Sequence, residues 1–387
     1  MLIRQESLAG KDGLKDFSSN SPLPNANLVL VFGSVKRFSE PKLQSVLKLR
    51  YPSAEIIGCT TSGEINPDGV FDETLQITAI LWEKTVQRVT HLKKSEAETS
   101  FEVAEKLAGQ LKADTLRTVL VISDGLNVNG SELLKGFQSV LGAEIPIVGG
   151  MAGDSAAFVK TLQLFNHIVS DNLVIAVGLY GKHLVTASGA LGGWKPYGPL
   201  RKITRSIKNV VYEMDGKPAL PLYRMYIGEQ NAKSLPGSGL RFPFAVIEDG
   251  KREVEKVRTL LAVNQAENSL TFAGNVEEGE SVRLCQTTHE RLVEGAGGAA
   301  HLVTGNLKEV DTTRTGLALC VSCVGRKGVM AEQTADEITE VKKILGSQTI
   351  LAGFYSYGEF APRPNTNDSV LHNQTMTIGY LSEDLLA

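Results

Sequence analysis

Residues 349–381, TILAGFYSYGEFAPRPNTNDSVLHNQTMTIGYL, decide how the chain is read. Ile350-Leu351-Ala352 is apolar enough for a buried strand, and Gly353 turns it toward Tyr355, Tyr357 and Gly358-Glu359. Order resumes near His372 after a proline-broken polar loop, and residues 375–380 have the pattern of a second strand. Two phenols, a carboxylate, an imidazole and two amides (Asn373, Gln374) are thereby placed on loops at strand ends, where a rigid scaffold tends to carry its binding groups.

Working outward, the same grammar recurs twice. Residues 28–32 predict a strand, 41–49 a helix, 56–64 a strand closing on a small-residue turn, and 75–81 a returning strand. Residues 118–122, a helix over 131–141 capped by Asn129 or Ser131, residues 146–154 and residues 173–179 repeat the series. Residues 317–321, 335–345, 350–359 and 375–380 form the third copy. The turns end in Gly63-Glu64, Gly153-Asp154 and Gly358-Glu359, with one residue fewer between the glycines of the middle copy. The expected fold is α/β, with two related mixed-sheet domains built from repeated strand-helix-strand-turn-strand units. Residues 180–316 break the pattern with short strands, a helix over 218–226 and helical turns interrupted by glycines over 280–300. Turn signals are densest over 191–199, which marks a boundary. The expected organisation is a lead-in over 1–26, a first domain over 27–195 and a second over 196–387.

At 387 residues the chain exceeds what one core usually serves, which again favours two domains. A net charge of -3 and no long basic run exclude the electrostatic footprint of a nucleic-acid binder. Apolar runs such as residues 173–177 fall far short of the roughly 20 residues that span a bilayer. The N-terminus lacks the apolar core of a secretory signal. Four cysteines in so long a chain suit a reducing cytoplasm rather than a disulfide framework.

Candidate chemistry gathers at the strand ends. Glu64, Asp154 and Glu359 follow glycines where ligands of open α/β sheets bind; the competing reading is of solvated turn residues. His372, beside Asn373, is the histidine best placed to face a ligand. Cys320 and Cys323 form a CxxC, but in a strand residues three apart point to opposite faces, and no second pair completes a zinc site. The glycines of residues 295–300 fit a dinucleotide fingerprint in letters only, because helix rather than strand precedes them. The rival from another class is a thiol-dependent enzyme using Cys323 or Cys59, with Arg326 lowering the Cys323 thiol pKa.

IGCTTSGE (57–64), VGGMAGD (148–154), VYEMDGKPA (211–219), SCVGR (322–326) and GFYSYGE (353–359) followed by LHNQT (371–375) together resemble the FIST family, over most of the chain. The resemblance implies an N-terminal and a C-terminal FIST domain in an intracellular sensory protein. It implies a small-molecule ligand such as an amino acid, and output through a histidine kinase or a cyclic-dinucleotide enzyme in trans. Free-standing members include haem-binding nitric-oxide sensors that regulate a histidine kinase. For haem the axial candidates are His372, Tyr355, Tyr357, Cys323 and Cys59, with His372 the expected metal ligand. The expected ligand contacts are Tyr355, Tyr357, Glu359, His372, Asn373, Cys323, Arg326, Glu64 and Asp154.

Overall fold

The computed structural model describes residues 1–9, 14, 21–247, 254–307 and 315–384. A first unit runs β1 (Leu2–Leu8), β2 (Leu28–Gly33), α1 (Val35–Phe38), α2 (Leu43–Arg50), β3 (Glu55–Thr60), β4 (Glu64–Asn66), β5 (Gly69–Phe71) and β6 (Leu75–Leu81). A second runs β7 (Val86–Lys93), α3 (Ser100–Leu111), β8 (Leu116–Ser123), α4 (Gly130–Leu141), β9 (Ile147–Met151), β10 (Gln163–Phe165), β11 (Ile168–Ser170) and β12 (Leu173–Tyr180). A third begins at β13 (Leu184–Leu191) and is then interrupted.

The interruption is a fourth sheet. It holds β14 (Lys195–Ile207), β15 (Val210–Met214), β16 (Lys217–Pro218), α5 (Ala219–Ile227), α6 (Glu229–Ala232), β17 (Phe244–Ile247), β18 (Val254–Arg258), β19 (Leu260–Asn264), β20 (Ser269–Phe272) and β21 (Ser281–Gln286). The third unit resumes with α7 (His289–Asn306), β22 (Gly316–Cys323), α8 (Val324–Met330), α9 (Ala335–Leu345), β23 (Thr349–Ser356), β24 (Gly358–Pro362), β25 (Ser369–His372) and β26 (Met376–Glu383).

Each unit has the same plan. Two parallel strands, β2 with β3, β8 with β9 and β22 with β23, are followed by a hairpin and a returning antiparallel strand. The hairpin does not stay with its own sheet. The first unit's hairpin pairs with β23 of the third, the second unit's with β3 of the first, and the third unit's with β9 of the second. Without this exchange β3, β9 and β23 would be open edges, the part of a sheet most prone to pair with another chain. The exchange covers all three edges and interlocks the units.

Period-two alternation sorts the strand residues into layers. Leu28, Leu30 and Phe32 of β2, Leu120 and Ile122 of β8, and Leu317, Leu319 and Val321 of β22 converge in one core at the centre of the three sheets. The intervening Val29 and Val31, Val119 and Val121, and Ala318 and Cys320 face the outer helices. Strands buried on both faces read as continuous apolar runs, and each such Leu or Phe contributes about 1.5–3 kcal/mol on burial.

The α/β class, the mixed sheets and the repeated strand-helix-strand-turn-strand unit are all present, in two domains: the three-sheet body and the inserted sheet with its own core around Tyr223, Phe244 and Phe272. The family relationship runs among the three sheets of one body, however, rather than between two successive halves of the chain. A cut at 195/196 would separate β13 from β26, with which it pairs along its whole length. Residues 1–26 are more than a lead-in, since β1 pairs with β6; residues 10–13 and 15–20 of that stretch lie outside the described residues. Residues 289–306 form one unbroken helix, and its Gly295 and Gly298 stand where a Cβ would meet Gly192 and Leu191, so they serve close packing rather than interruption. Among the described residues no helix is long and apolar enough to cross a membrane.

Candidate ligand site

The exchanged hairpins align the three units residue by residue. Ile65 pairs with Gly353, Phe360 with Gly149 and Leu164 with Gly58, so the preceding residues Glu64, Glu359 and Gln163 occupy one position. Glu64 accepts the Thr61 hydroxyl and both the N–H (3.0 Å) and the hydroxyl (2.7 Å) of Thr74, the residue before β6. Glu359 accepts the Ser356 hydroxyl at 2.8 Å and the N–H of Thr375, before β26, at 3.3 Å. In the second unit Asp124 takes over. It accepts the Thr161 hydroxyl at 2.6 Å and the N–H of Asn172, before β12, at 3.4 Å. These carboxylates tie the hairpin to the returning strand. Burial raises the Glu64 carboxyl and pushes Glu359, which lies against Cys323, up to about 8.

Asp154 was expected to match Glu64 and Glu359. It does not, because residues 152–162 lie between β9 and β10 where the first unit has only residues 61–63. The signal for this was the unequal spacing of the middle copy.

Glu359 and His372 stand directly opposite each other in the β24–β25 hairpin, yet both are buried, and neither lines the larger cavities among the described residues. The His372 Nε2 lies 3.1 Å from the Ala361 carbonyl, to which it donates. Burial lowers its pKa to about 4, which keeps the imidazole neutral. A neutral imidazole is the form that binds iron, and donation from Nε2 leaves Nδ1 as the nitrogen that carries the lone pair. The buried ring lines none of these cavities, so nothing around His372 shows room for a porphyrin. No group of three His, Cys, Asp or Glu able to hold a metal occurs among the described residues. Asn373 is also buried, its side-chain N–H₂ donating to the His372 carbonyl at 2.9 Å.

Arg326, expected beside a reactive thiol, is committed elsewhere. Its guanidinium pairs with Glu337, both side chains being 0% exposed, and donates to the carbonyls of Gly192 and Leu292. Glu337 also accepts from Ser322 (2.9 Å) and from the Tyr355 hydroxyl, so Tyr355 faces the helix layer rather than a ligand. Gly192 and Leu292 flank the points where the chain leaves for the inserted sheet and returns from it. Arg326 clamps both crossings. Burial pushes the Cys323 thiol up, with Glu359 adding to the effect and Arg326 opposing it least. Cys59 and Cys320 are pushed up by the same burial, and Cys320 faces the side opposite Val321 as strand geometry requires. These thiols lack the lowered pKa that an attacking sulfur needs.

One pair of expected residues does meet at a cavity. Tyr357 donates its hydroxyl to Asp154, and Asp154 accepts backbone N–H groups from Phe158 (2.8 Å), Val159 (2.7 Å) and Lys160 (2.7 Å). The carboxylate thus pins a loop in which Ser155, Ala156 and Phe158 all hold positive φ, at 59°, 63° and 54°. Non-glycine residues in that region cost of order 1 kcal/mol or more each and gather at functional sites. Phe158, 39% exposed, stacks on Tyr357 with ring centroids 4.4 Å apart and planes 15° apart.

Beside this stack lies a cavity of about 290 Å³. Gly125 to Asn129 and Met151 line it from the carboxyl ends of β8 and β9, Phe158 and Tyr357 from their loops, and Asn209, Leu261, Phe272 and Ala273 from the inserted sheet. It sits where ligands of α/β sheets bind, beyond the carboxyl ends of parallel strands. A larger open groove of about 730 Å³ runs past the amino ends of the same strands, and none of the expected residues lines it. The sequence offered no sign of the contribution from the inserted sheet, which reaches the cavity only through the tertiary fold.

An uncharacterised protein of Methanocaldococcus jannaschii is 27% identical over 329 residues, covering 78% of this chain. The chain spans 61% of that relative's length. A chain of the structure of PurLQS from Thermotoga maritima aligns over 78% of this chain and 72% of its own at 8% identity, with a TM-score of 0.22, too low to carry any argument. The family models are decisive. The FIST N domain matches residues 27–217 and the FIST C domain residues 219–362. The chain belongs to the FIST family, whose domains are associated with small-ligand sensing and signal transduction.

Proposed function

We propose that this FIST protein senses a small molecule held in the 290 Å³ cavity between the second unit and the inserted sheet. Occupancy would change how the inserted sheet sits on the three-sheet body, and a separate partner would read the change. Only a ligand with different affinities for two arrangements can shift an equilibrium between them; a cavity walled by both bodies supplies that difference. The observation that carries the reading is the Asp154–Tyr357–Phe158 arrangement, in which a buried carboxylate holds a strained loop against one wall of the cavity. The partner is a histidine kinase or a cyclic-dinucleotide enzyme in trans, a choice supported by the family resemblance alone. The cavity is at the small end of ligand sites, which run from roughly 300 to 1,000 Å³, so it suits an amino-acid-sized guest and is too small for a porphyrin. The haem-based nitric-oxide form of the reading finds no support in these side chains.

The test compares the wild type with Ala273→Phe, which fills the cavity from the inserted sheet, in thermal unfolding against amino acids and other small molecules. At least one compound is expected to raise the unfolding temperature of the wild type and to lose that effect in the variant. Equal shifts in both proteins for every active compound would remove the cavity from the mechanism.

A further inference from the structure

We infer that the ligand of this cavity is an uncharged, planar aromatic or heteroaromatic molecule; the inference rests on the cavity being the ligand site. Three observations support it. The walls come first: the exposed Phe158 stacks on Tyr357 at one side, the buried Phe272 stacks on Phe244 behind another, and Met151, Leu126, Val128 and Leu261 add apolar side chains to a lining that backbone and amide groups make nearly as polar as apolar. A flat ring sliding against aromatic faces and a thioether gains stacking and sulfur–aromatic contact that an aliphatic guest does not.

The second observation is charge. Among the described residues that line the cavity, none is ionisable below the range of a tyrosine hydroxyl. The nearest carboxylates are already saturated. Asp154 accepts four donors, and Asp124 accepts the N–H groups of Leu126 (2.8 Å) and Asn127 (2.7 Å) besides the Thr161 hydroxyl. An ammonium entering here would find no carboxylate among the lining side chains. A carboxylate would meet the start of α4, but that end is already capped by Asn129 and carries Glu132 in its first turn. Burying a charge without a partner is costly, so both signs are disfavoured.

The third is the placement of polar atoms. Asn129 is spent, accepting from the Glu132 N–H at 3.1 Å and donating to Asn275 at 3.0 Å. Asn209 donates to the Phe272 carbonyl at 2.8 Å but keeps its carbonyl oxygen, and the Asn127 amide makes no side-chain hydrogen bond among the described residues. A neutral amide and a neutral carbonyl among the lining side chains suit a ring N–H or a ring carbonyl.

The experiment holds the ring constant and varies the charge. Indole, indole-3-ethanol, tryptamine (cation), indole-3-acetate (anion) and L-tryptophan (zwitterion) are titrated into the full chain and into Ala273→Phe, by equilibrium dialysis and thermal unfolding. The two neutral compounds are expected to bind about tenfold or more tighter than each charged one, and to lose that binding in the variant. If a charged member binds as well as indole and the variant abolishes it, the neutrality inference falls while the cavity stands. If the variant changes the binding of no member, neutral or charged, and of none of the compounds active in the broader screen, the site itself falls. If the screen finds a non-aromatic compound that depends on Ala273 while no indole binds, the aromatic inference falls.

Discussion

Glu64 and Glu359 occupy the same position of a threefold repeat and hold the same partners: a hydroxyl three residues earlier and the threonine just before the returning strand. Two carboxylates with corresponding backbone and hydroxyl partners in two units argue for a shared structural duty, although only Glu64 also takes the hydroxyl of its threonine. A ligand-binding role for Glu359 would have to explain why Glu64 is built in the same way, at a different place in the molecule.

That duty has a pH signature. Burial raises the Glu359 carboxyl from its ordinary 4.5 to about 8, so between those values the folded state binds a proton that the unfolded chain has released. Stability contributed by this group is complete below about pH 4.5 and is lost as the pH rises toward 8. Glu359→Gln removes the titration, and its amide can still meet Ser356, whose hydroxyl either donates or accepts. The advantage of the variant over the wild type in urea midpoint is expected to grow steadily from pH 5 to pH 8. Parallel midpoint curves would mean that Glu359 titrates like an exposed carboxylate.

Arg326 is expected to matter for the joint between the two domains. Arg326→Leu leaves Glu337 as a buried charge without its cation and strands the carbonyls of Gly192 and Leu292. Breaking a buried pair from one side typically costs about 3–5 kcal/mol, and Arg326→Lys should recover only part, since an ammonium cannot reproduce the forked geometry. Limited proteolysis should cut near residues 192–193 faster in the leucine variant than in the wild type. Unchanged cleavage and stability would show the clamp to be incidental.

The thiols give an independent check on the rival chemistry. Cys59, Cys285, Cys320 and Cys323 are all buried, and burial pushes each upward, Cys285 to about 12. At pH 8 the native protein should react negligibly with a disulfide reagent over a period in which the urea-unfolded chain titrates all its cysteines. One fast thiol in the native state would reopen the nucleophile reading for that residue.

The features legible in the sequence were those set by local geometry. The central strands β2, β8 and β22 announced themselves because both their faces are buried; of the glycines read as turns, Gly63 does hold a positive φ, whereas Gly353 lies within β23 and Gly358 opens β24. β1 and β7 escaped notice because they pair on one side only and carry mixed, half-exposed faces. The destination of each hairpin was hidden for a different reason: a hairpin sequence encodes its own turn and not the sheet it joins. The site shows the same division. Asp154 and Tyr357 were singled out from their turns, but their meeting across 203 residues follows from the exchange and the inserted loop. Phe158 drew no attention, since its positive φ is imposed by Asp154 rather than by its own residue type.

The strongest imprint of the repeat is a glycine that the exchange itself demands. Gly58, Gly149 and Gly353 sit at the same place in the second parallel strand of each unit, opposite Val31, Val121 and Cys320 of the first. A Cβ at these positions would lie 1.8, 2.0 and 1.7 Å from the facing carbonyl oxygen, a contact that only backbone movement could relieve. Gly149 and Gly353 also hold positive φ, at 132° and 158°. Because the exchanged hairpin pairs on the other side of the same strand, the strand cannot shift away without breaking that pairing. Each single change to alanine is therefore expected to cost about 3 kcal/mol or more, with all three variants behaving alike in urea unfolding. Gly109→Ala, on an open helix surface with nothing within 4 Å, should be neutral or slightly stabilising and serves as the control. If Gly58→Ala were as stable as that control while the other two collapsed, the three positions would not be equivalent, and the cyclic alignment of the units would have to be redrawn.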